Sequence, residues 1–183
     1  IVLELKMKNL LGLALVTALL SGCIAIPTGK SKDNNPASLI KGDSNVDNSK
    51  NDITRVNTRG QLTCNTNEVC PELDIDWNKN QGQYNVSFHL YDRQQYDLKE
   101  FTFIVDGKTR SFSTIGATTT RNINNSGIYE STNNAEVPSN LFSQINQAKN
   151  IQVVISTNQG DITRDMLSPN KQSDAFRLFR RAY

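Results

Sequence analysis

Asp74 and Asp76 stand two residues apart in Leu73-Asp74-Ile75-Asp76-Trp77, so in an extended strand both carboxylates leave one face and the apolar residues leave the other. Such a pair could hold Ca²⁺ or work as acid and base. Ca²⁺ takes about six or more oxygens, however, and no Asp-rich loop with a glycine turn supplies the rest. His89, the sole histidine, alternates with Phe88 and Leu90 and so faces away from them. A histidine base needs a nucleophile and an orienting acid. Asp92 is its nearest carboxylate along the chain, and the enzymatic reading is an envelope hydrolase that uses His89 with Asp74 or Asp76. Two Ser-x-x-Lys matches, Ser38-Leu39-Ile40-Lys41 and Ser168-Pro169-Asn170-Lys171, lack the Ser-Asp-Asn and Lys-Thr-Gly partners of penicillin-recognising serine enzymes. The sequence also holds no Gly-x-Ser-x-Gly, no His-Glu-x-x-His and no phosphate-cradling glycine loop. The expectation is a protein with no catalytic residues, no metal and no cofactor.

The elements that must position these residues are mostly strands. Apolar residues alternate in Leu73, Ile75 and Trp77 and again in Tyr84, Val86, Phe88 and Leu90, which predicts a hairpin of half-buried strands. Phe101 to Val105 is a third strand, and Asp106-Gly107 signals a tight primed turn into Lys108 to Thr114. The polar stretch Ser113 to Asn134 holds a weak hairpin around Asn124-Asn125-Ser126-Gly127. Leu141, Phe142, Ile145 and Ala148 recur at helical spacing, with Ser139 or Asn140 as N-cap. Ile151 to Ser156 turns at Asn158-Gln159-Gly160 into Asp161 to Leu167. Ser168-Pro169 reads as the start of a last helix whose stripe is Ala175, Phe176, Phe179 and Tyr183, with Arg177, Arg180 and Arg181 as its wet side. The fold class is mainly β: an antiparallel sheet or sandwich over 60–183 with one short inserted helix and a C-terminal helix. The alternative is an α+β open sheet with both helices on one face.

The charge balance, 20 Lys+Arg against 18 Asp+Glu for a net +2, lacks the basic stripe that nucleic acid selects, so no nucleic-acid partner is expected. The chain has three cysteines, and the first closes a distinctive segment. Residues 8 to 23 carry a positive start and an apolar run from Leu10 to Leu20 that is too short to span a bilayer, the pattern of a secretory h-region. The run ends in Leu20-Ser21-Gly22-Cys23, which resembles the lipobox of bacterial lipoproteins over roughly the first 25 residues.

That resemblance implies a signal peptide within 1–22, a start at Met7 with Ile1 to Lys6 upstream of it, and palmitate-type acyl chains on Cys23. At about 0.8 kcal/mol per buried CH₂, two or three chains give a permanent membrane anchor. Ile24 stands where lipoproteins retained at the inner membrane tend to carry Asp, which implies the outer membrane and leaves its periplasmic or surface face open. Residues 23–59 then read as the lipidated Cys and a disordered tether, rich in Asn, Asp, Ser and Lys from about Thr28 to Arg59. As a coil, its reach is roughly 30 Å. Export into an oxidising compartment favours a disulfide between Cys64 and Cys70, worth on the order of 2 kcal/mol. Arg121, Asn122, Thr119 and Tyr129, in a Ser/Thr/Asn-rich stretch, form the candidate binding surface. The resulting expectation is a non-enzymatic binding domain on an outer-membrane lipoprotein, with an envelope protein or glycan as partner. The alternatives are an inhibitor or immunity protein against a secreted toxin or hydrolase, and the hydrolase with His89.

Overall fold

The computed structural model describes residues 43–48, 54–78 and 82–183, all within the unit Asp33–Tyr183. The expected leader 1–22, Cys23, Ser38 and most of the expected tether lie outside the described residues. In chain order the elements are β1 (Asp43–Asn48), β2 (Thr54–Gln61), β3 (Glu72–Asn78), β4 (Gln83–Asp92), β5 (Leu98–Val105), β6 (Lys108–Ser113), β7 (Thr119–Asn122), β8 (Tyr129–Pro138), α1 (Ser139–Gln147), β9 (Ile151–Thr157), β10 (Gly160–Ser168), β11 (Lys171–Gln172) and α2 (Asp174–Ala182). They form two antiparallel sheets, one in the order β1-β2-β3-β4-β8-β7 and the other β11-β10-β9-β5-β6. The mainly β class holds, with the two sheets packed as a sandwich.

Period-two patterning decides which face each strand buries. Leu73, Ile75 and Trp77 of β3 and Tyr84, Val86, Phe88 and Leu90 of β4 all point inward, none more than 7% exposed. They meet Leu98, Phe101, Phe103 and Val105 of β5 and Ile151, Val153 and Ile155 of β9 in one core. Phe88 contacts Phe101 edge to face, with ring centroids 4.6 Å apart. Each such fully buried phenylalanine contributes about 2–3 kcal/mol by leaving water. At one end of the core an aromatic chain runs from Trp77 to Tyr84 (5.4 Å), Phe142 of α1 (4.4 Å) and Phe179 of α2 (5.3 Å).

Three sequence expectations are corrected. The domain does not begin at 60, because β2 already pairs with β3 from Arg55 opposite Asn78 to Gln61 opposite Glu72. Val56, Thr58 and Gly60 are its buried positions, and a single aliphatic among polar residues concealed the alternation inside the expected tether. β1, also inside that tether, pairs with β2. The last helix does not start at Ser168-Pro169, since Ser168 pairs with Lys171 across a turn at Pro169 and Asn170. It starts after Ser173, whose hydroxyl accepts from Phe176 N (3.1 Å). The N-cap of α1 is Pro138, without a side-chain bond, rather than Ser139 or Asn140; Ser139 N–H donates instead to Gly82 O (3.0 Å).

Candidate functional site

Where one face of a strand is buried, the alternate residues stand on the other, and on β2, β3, β4, β8 and β7 those residues are almost all polar. The ladder sets them side by side: Glu72 lies opposite His89, His89 opposite Thr132, and Thr132 opposite Thr119. In the next rows Tyr91 lies opposite Glu130 and Glu130 opposite Arg121, while Arg59 lies opposite Asp74.

Glu130 is the hub of this face. Its Oε1 accepts from the Tyr91 hydroxyl (2.7 Å) and meets His89 Nδ1 at 2.9 Å, and its Oε2 pairs with the Arg121 guanidinium. Burial pushes the Glu130 carboxyl up, but the hydrogen bonds from Tyr91, Arg121 and His89 outweigh it and hold the group below its ordinary value. Arg59 Nε–H donates to Glu72 Oε2 (2.8 Å), its other end donates to Tyr91, and it lies 3.6 Å from Glu130. Asn57 donates to Asp74 (2.6 Å), and Arg55 Nε–H donates to both oxygens of Asp76 (2.9 and 3.0 Å). Burial raises the carboxyls of Glu72 and Asp74, against the pull of Arg59 on the first and of Asn57 on the second.

Because a carboxylate only accepts, the His89–Glu130 bond places the imidazole proton on Nδ1 and leaves the lone pair on Nε2. That Nε2 is buried and has no hydrogen-bond partner among the described residues. Burial, aided by Arg59, lowers the His89 pKa, so the ring is neutral at pH 7. A carboxylate-oriented neutral histidine is half of a proton-transfer device, and a nucleophile within reach of Nε2 would be the other half. The orienting acid is Glu130; the sequence neighbour Asp92 instead accepts from the Tyr96 hydroxyl (2.6 Å). Among the described residues no group of three or more His, Cys, Asp or Glu could hold a metal ion.

The strand alternation divides the expected binding surface. Thr119 and Arg121, opposite Thr132 and Glu130, share the face of His89, whereas Asn122 lies opposite Tyr129 in the next row and both point to the other side. Arg121 is thus joined to the polar network and Tyr129, half-buried, is not. The cysteines are brought together: Cys64 and Cys70 form a disulfide with Cα atoms 5.7 Å apart. Arg177, Arg180 and Arg181 of α2 are all exposed, Arg180 lying over the Phe176 ring.

Sequence reasoning missed Arg59, Glu72, Tyr91 and Glu130. Extending the alternation by one step from Asp74 and from His89 would have placed Glu72 and Tyr91 on this face. Glu130 needs the β4–β8 pairing, 41 residues away from His89, for which the sequence carries no local signal. No family model matches the chain, and no curated protein or solved structure matches it.

Proposed function

We propose that this protein is a bacterial envelope lipoprotein, lipid-anchored through Cys23, whose β-sandwich is a non-enzymatic binding domain. Its contact face is the polar side of the six-stranded sheet, and its partner is an envelope protein that presents carboxylates. The observation that carries the contact reading is the ordering of charge on that face. Two carboxylates are withdrawn, Glu72 at 1% and Glu130 at 5% side-chain exposure, while the guanidiniums of Arg55 and Arg121 stand out at 68% and 69%; Glu136, farther along β8, is an exposed carboxylate of the same face. Each exposed guanidinium is already held by an acid beneath it, which reduces the rotamer entropy lost on binding and favours a partner of opposite charge. The anchor reading rests on Leu20-Ser21-Gly22-Cys23 at the end of an apolar leader.

Two measurements test the two halves separately. Metabolic palmitate labelling should mark the wild-type chain and not Cys23→Ser; an unlabelled wild type removes the anchor. A photo-crosslinker installed at Arg121 should capture one partner reproducibly, and Arg55→Ala together with Arg121→Ala should weaken that partner's binding by about tenfold or more. Equal capture from Thr102, on the other sheet, would discard this face as the contact surface.

A further inference from the structure

α2 carries its charge on one side only. Ala175, Phe176, Leu178 and Phe179 are buried, while Asp174, Arg177, Arg180 and Arg181 are exposed and spaced so that they share the outer side of the helix. Asp174 is the one acid of the helix, and it is held by Arg177 (2.8 Å). Arg180 lies over the Phe176 ring, 5.8 Å from its centre. Among the described residues neither Arg180 nor Arg181 has a carboxylate within ion-pair distance. Lys171, exposed on β11 just ahead of the cap Ser173, extends the positive charge, and Glu68 across the adjoining groove lies 3.5 Å from Arg164. Tyr183, 42% exposed, follows the stripe; its ring packs on Phe179 (5.0 Å) and its hydroxyl meets Ser143 Oγ at 2.9 Å.

The place of α2 in the fold gives that side a direction. Gly60 of β2 meets the helix backbone at Asp174 and Ala175, and the helix lies against β2 and β1 on the inner side of their sheet. Arg55 and Arg59, which alternate with the buried positions of β2, therefore stand on the opposite side of the sheet from α2. β1 is also the strand by which the chain from Cys23 enters: its first residue, Asp43, comes twenty residues after Cys23, a span of at most about 70 Å. A lipid on Cys23 thus draws the domain down by the side that carries β1 and α2. Arg121, on β7 at the far edge of that sheet, is five strand spacings from β1, about 24 Å. Phospholipid headgroups match such a stripe. Each cation close to an anionic bilayer strengthens binding about fivefold, arginine stems and a tyrosine ring suit the boundary between water and acyl chains, and the anchor brings the bilayer, rather than an acidic protein, to this side.

We propose that the outer side of α2, through Arg177, Arg180 and Arg181, lies on anionic phospholipid headgroups beside the anchor and leaves the polar sheet face turned away from the bilayer, free for its partner. The direction of the helix rests on the anchor reading; its charge does not. The test uses the full lipidated chain in vesicles of phosphatidylcholine alone or with about 30% phosphatidylglycerol, each doped with a headgroup-nitroxide lipid. A fluorescent side chain installed at Gln172, beside the start of α2, or at Arg121 reads the quenching. With phosphatidylglycerol, quenching at 172 should rise about twofold or more, fall back above about 0.5 M salt, and stay low at 121. Arg177→Gln, Arg180→Gln and Arg181→Gln together should remove the rise, and Arg177→Lys, Arg180→Lys and Arg181→Lys should keep most of it, because headgroups attract by charge. Near-ultraviolet dichroism from Trp77 verifies that both variants are folded. Vesicle sedimentation separates the two readings. A chain retained by both lipids without the rise keeps the anchor and overturns the proposal. One that leaves phosphatidylcholine yet is retained and quenched with phosphatidylglycerol overturns the anchor and supports the helix face. A rise undiminished in the glutamine variant, a lysine variant that behaves as the glutamine one, or stronger quenching at 121 than at 172 each overturns the proposal.

Discussion

At the scale of single residues, the polar groups that fail to find partners are the informative ones. Thr58 is 1% exposed on the inner face of β2, and its hydroxyl has no hydrogen-bond partner among the described residues. Valine has the same shape without the unsatisfied group, so Thr58→Val should stabilise the fold by about 1 kcal/mol, read as a higher urea midpoint. An unchanged or lower midpoint would mean that the hydroxyl is satisfied after all. His89 gives a second prediction. Burial lowers its pKa below the ordinary value of about 6.5, so between those two values the unfolded chain holds more protons than the folded one. Its contribution therefore rises with pH through that window and is lost as the pH falls below about 6.5. Glu72 and Asp74, raised by burial, act in the opposite sense at lower pH, and Glu130, held low, acts in the same sense as His89. The difference between wild type and His89→Gln isolates the histidine: stability should fall on acidification from neutrality in the first and flatten in the second. The sequence placed His89 opposite the core correctly, because alternation with Phe88 and Leu90 is a local rule. It named the wrong acid, because pairing across a sheet is not local.

At the scale of elements, legibility followed apolar content. β3, β4, β5 and β9 carry an aliphatic or aromatic residue at each alternate inward position and were readable. β8 was read only in part, as a weak hairpin arm and a lead into α1, although it pairs with β4 over ten residue pairs, from Gln83 opposite Pro138 to Asp92 opposite Tyr129. The reason is that two of its inward positions are polar. Ser131 accepts from Tyr96 N (3.0 Å), and Asn133 donates to Leu98 O (3.2 Å), so these side chains tie the segment beside Leu98 to the interior of the other sheet at the cost of the hydrophobic signal. β2 hid for a related reason, since its third inward position is Gly60. A Cβ on Gly60 would lie 2.6 Å from Ala175 N and 2.8 Å from the Asp174 carbonyl carbon, so the glycine lets α2 lie directly on the sheet. Gly60→Ala should therefore push α2 away and destabilise by about 3 kcal/mol, with loss of near-ultraviolet dichroism from Trp77 and Phe179, which pack 6.0 Å apart. A variant with the wild-type midpoint and spectrum would show that the helix can shift freely, and the close approach would lose its meaning.

At the scale of the molecule, a sandwich of two open sheets has edges, and each edge strand offers unpaired backbone groups to another chain. β6 is one of them, paired among the described residues only with β5 and ending the five-stranded sheet. Its register sets Arg110 opposite Phe103 and Lys108 opposite Val105, so both cations belong to the row of side chains that faces the core, yet both remain exposed. Half-buried Phe112, opposite Phe101, continues that row. A charge pointing inward at an edge is what prevents the sandwich from growing by one more strand, because a new neighbour would bury the ammonium or guanidinium without a partner. Lys108→Val with Arg110→Val turns the row into a continuous apolar strip and leaves the fold's own pairing intact. The double variant should keep the wild-type melting temperature when dilute and self-associate as concentration rises, seen as a concentration-dependent sedimentation coefficient in detergent matched for the wild type. If the variant sediments as the wild type does throughout, the edge is guarded by something other than these two charges, with the β6–β7 connection and the exposed Ile115 at its head as the next segment to alter.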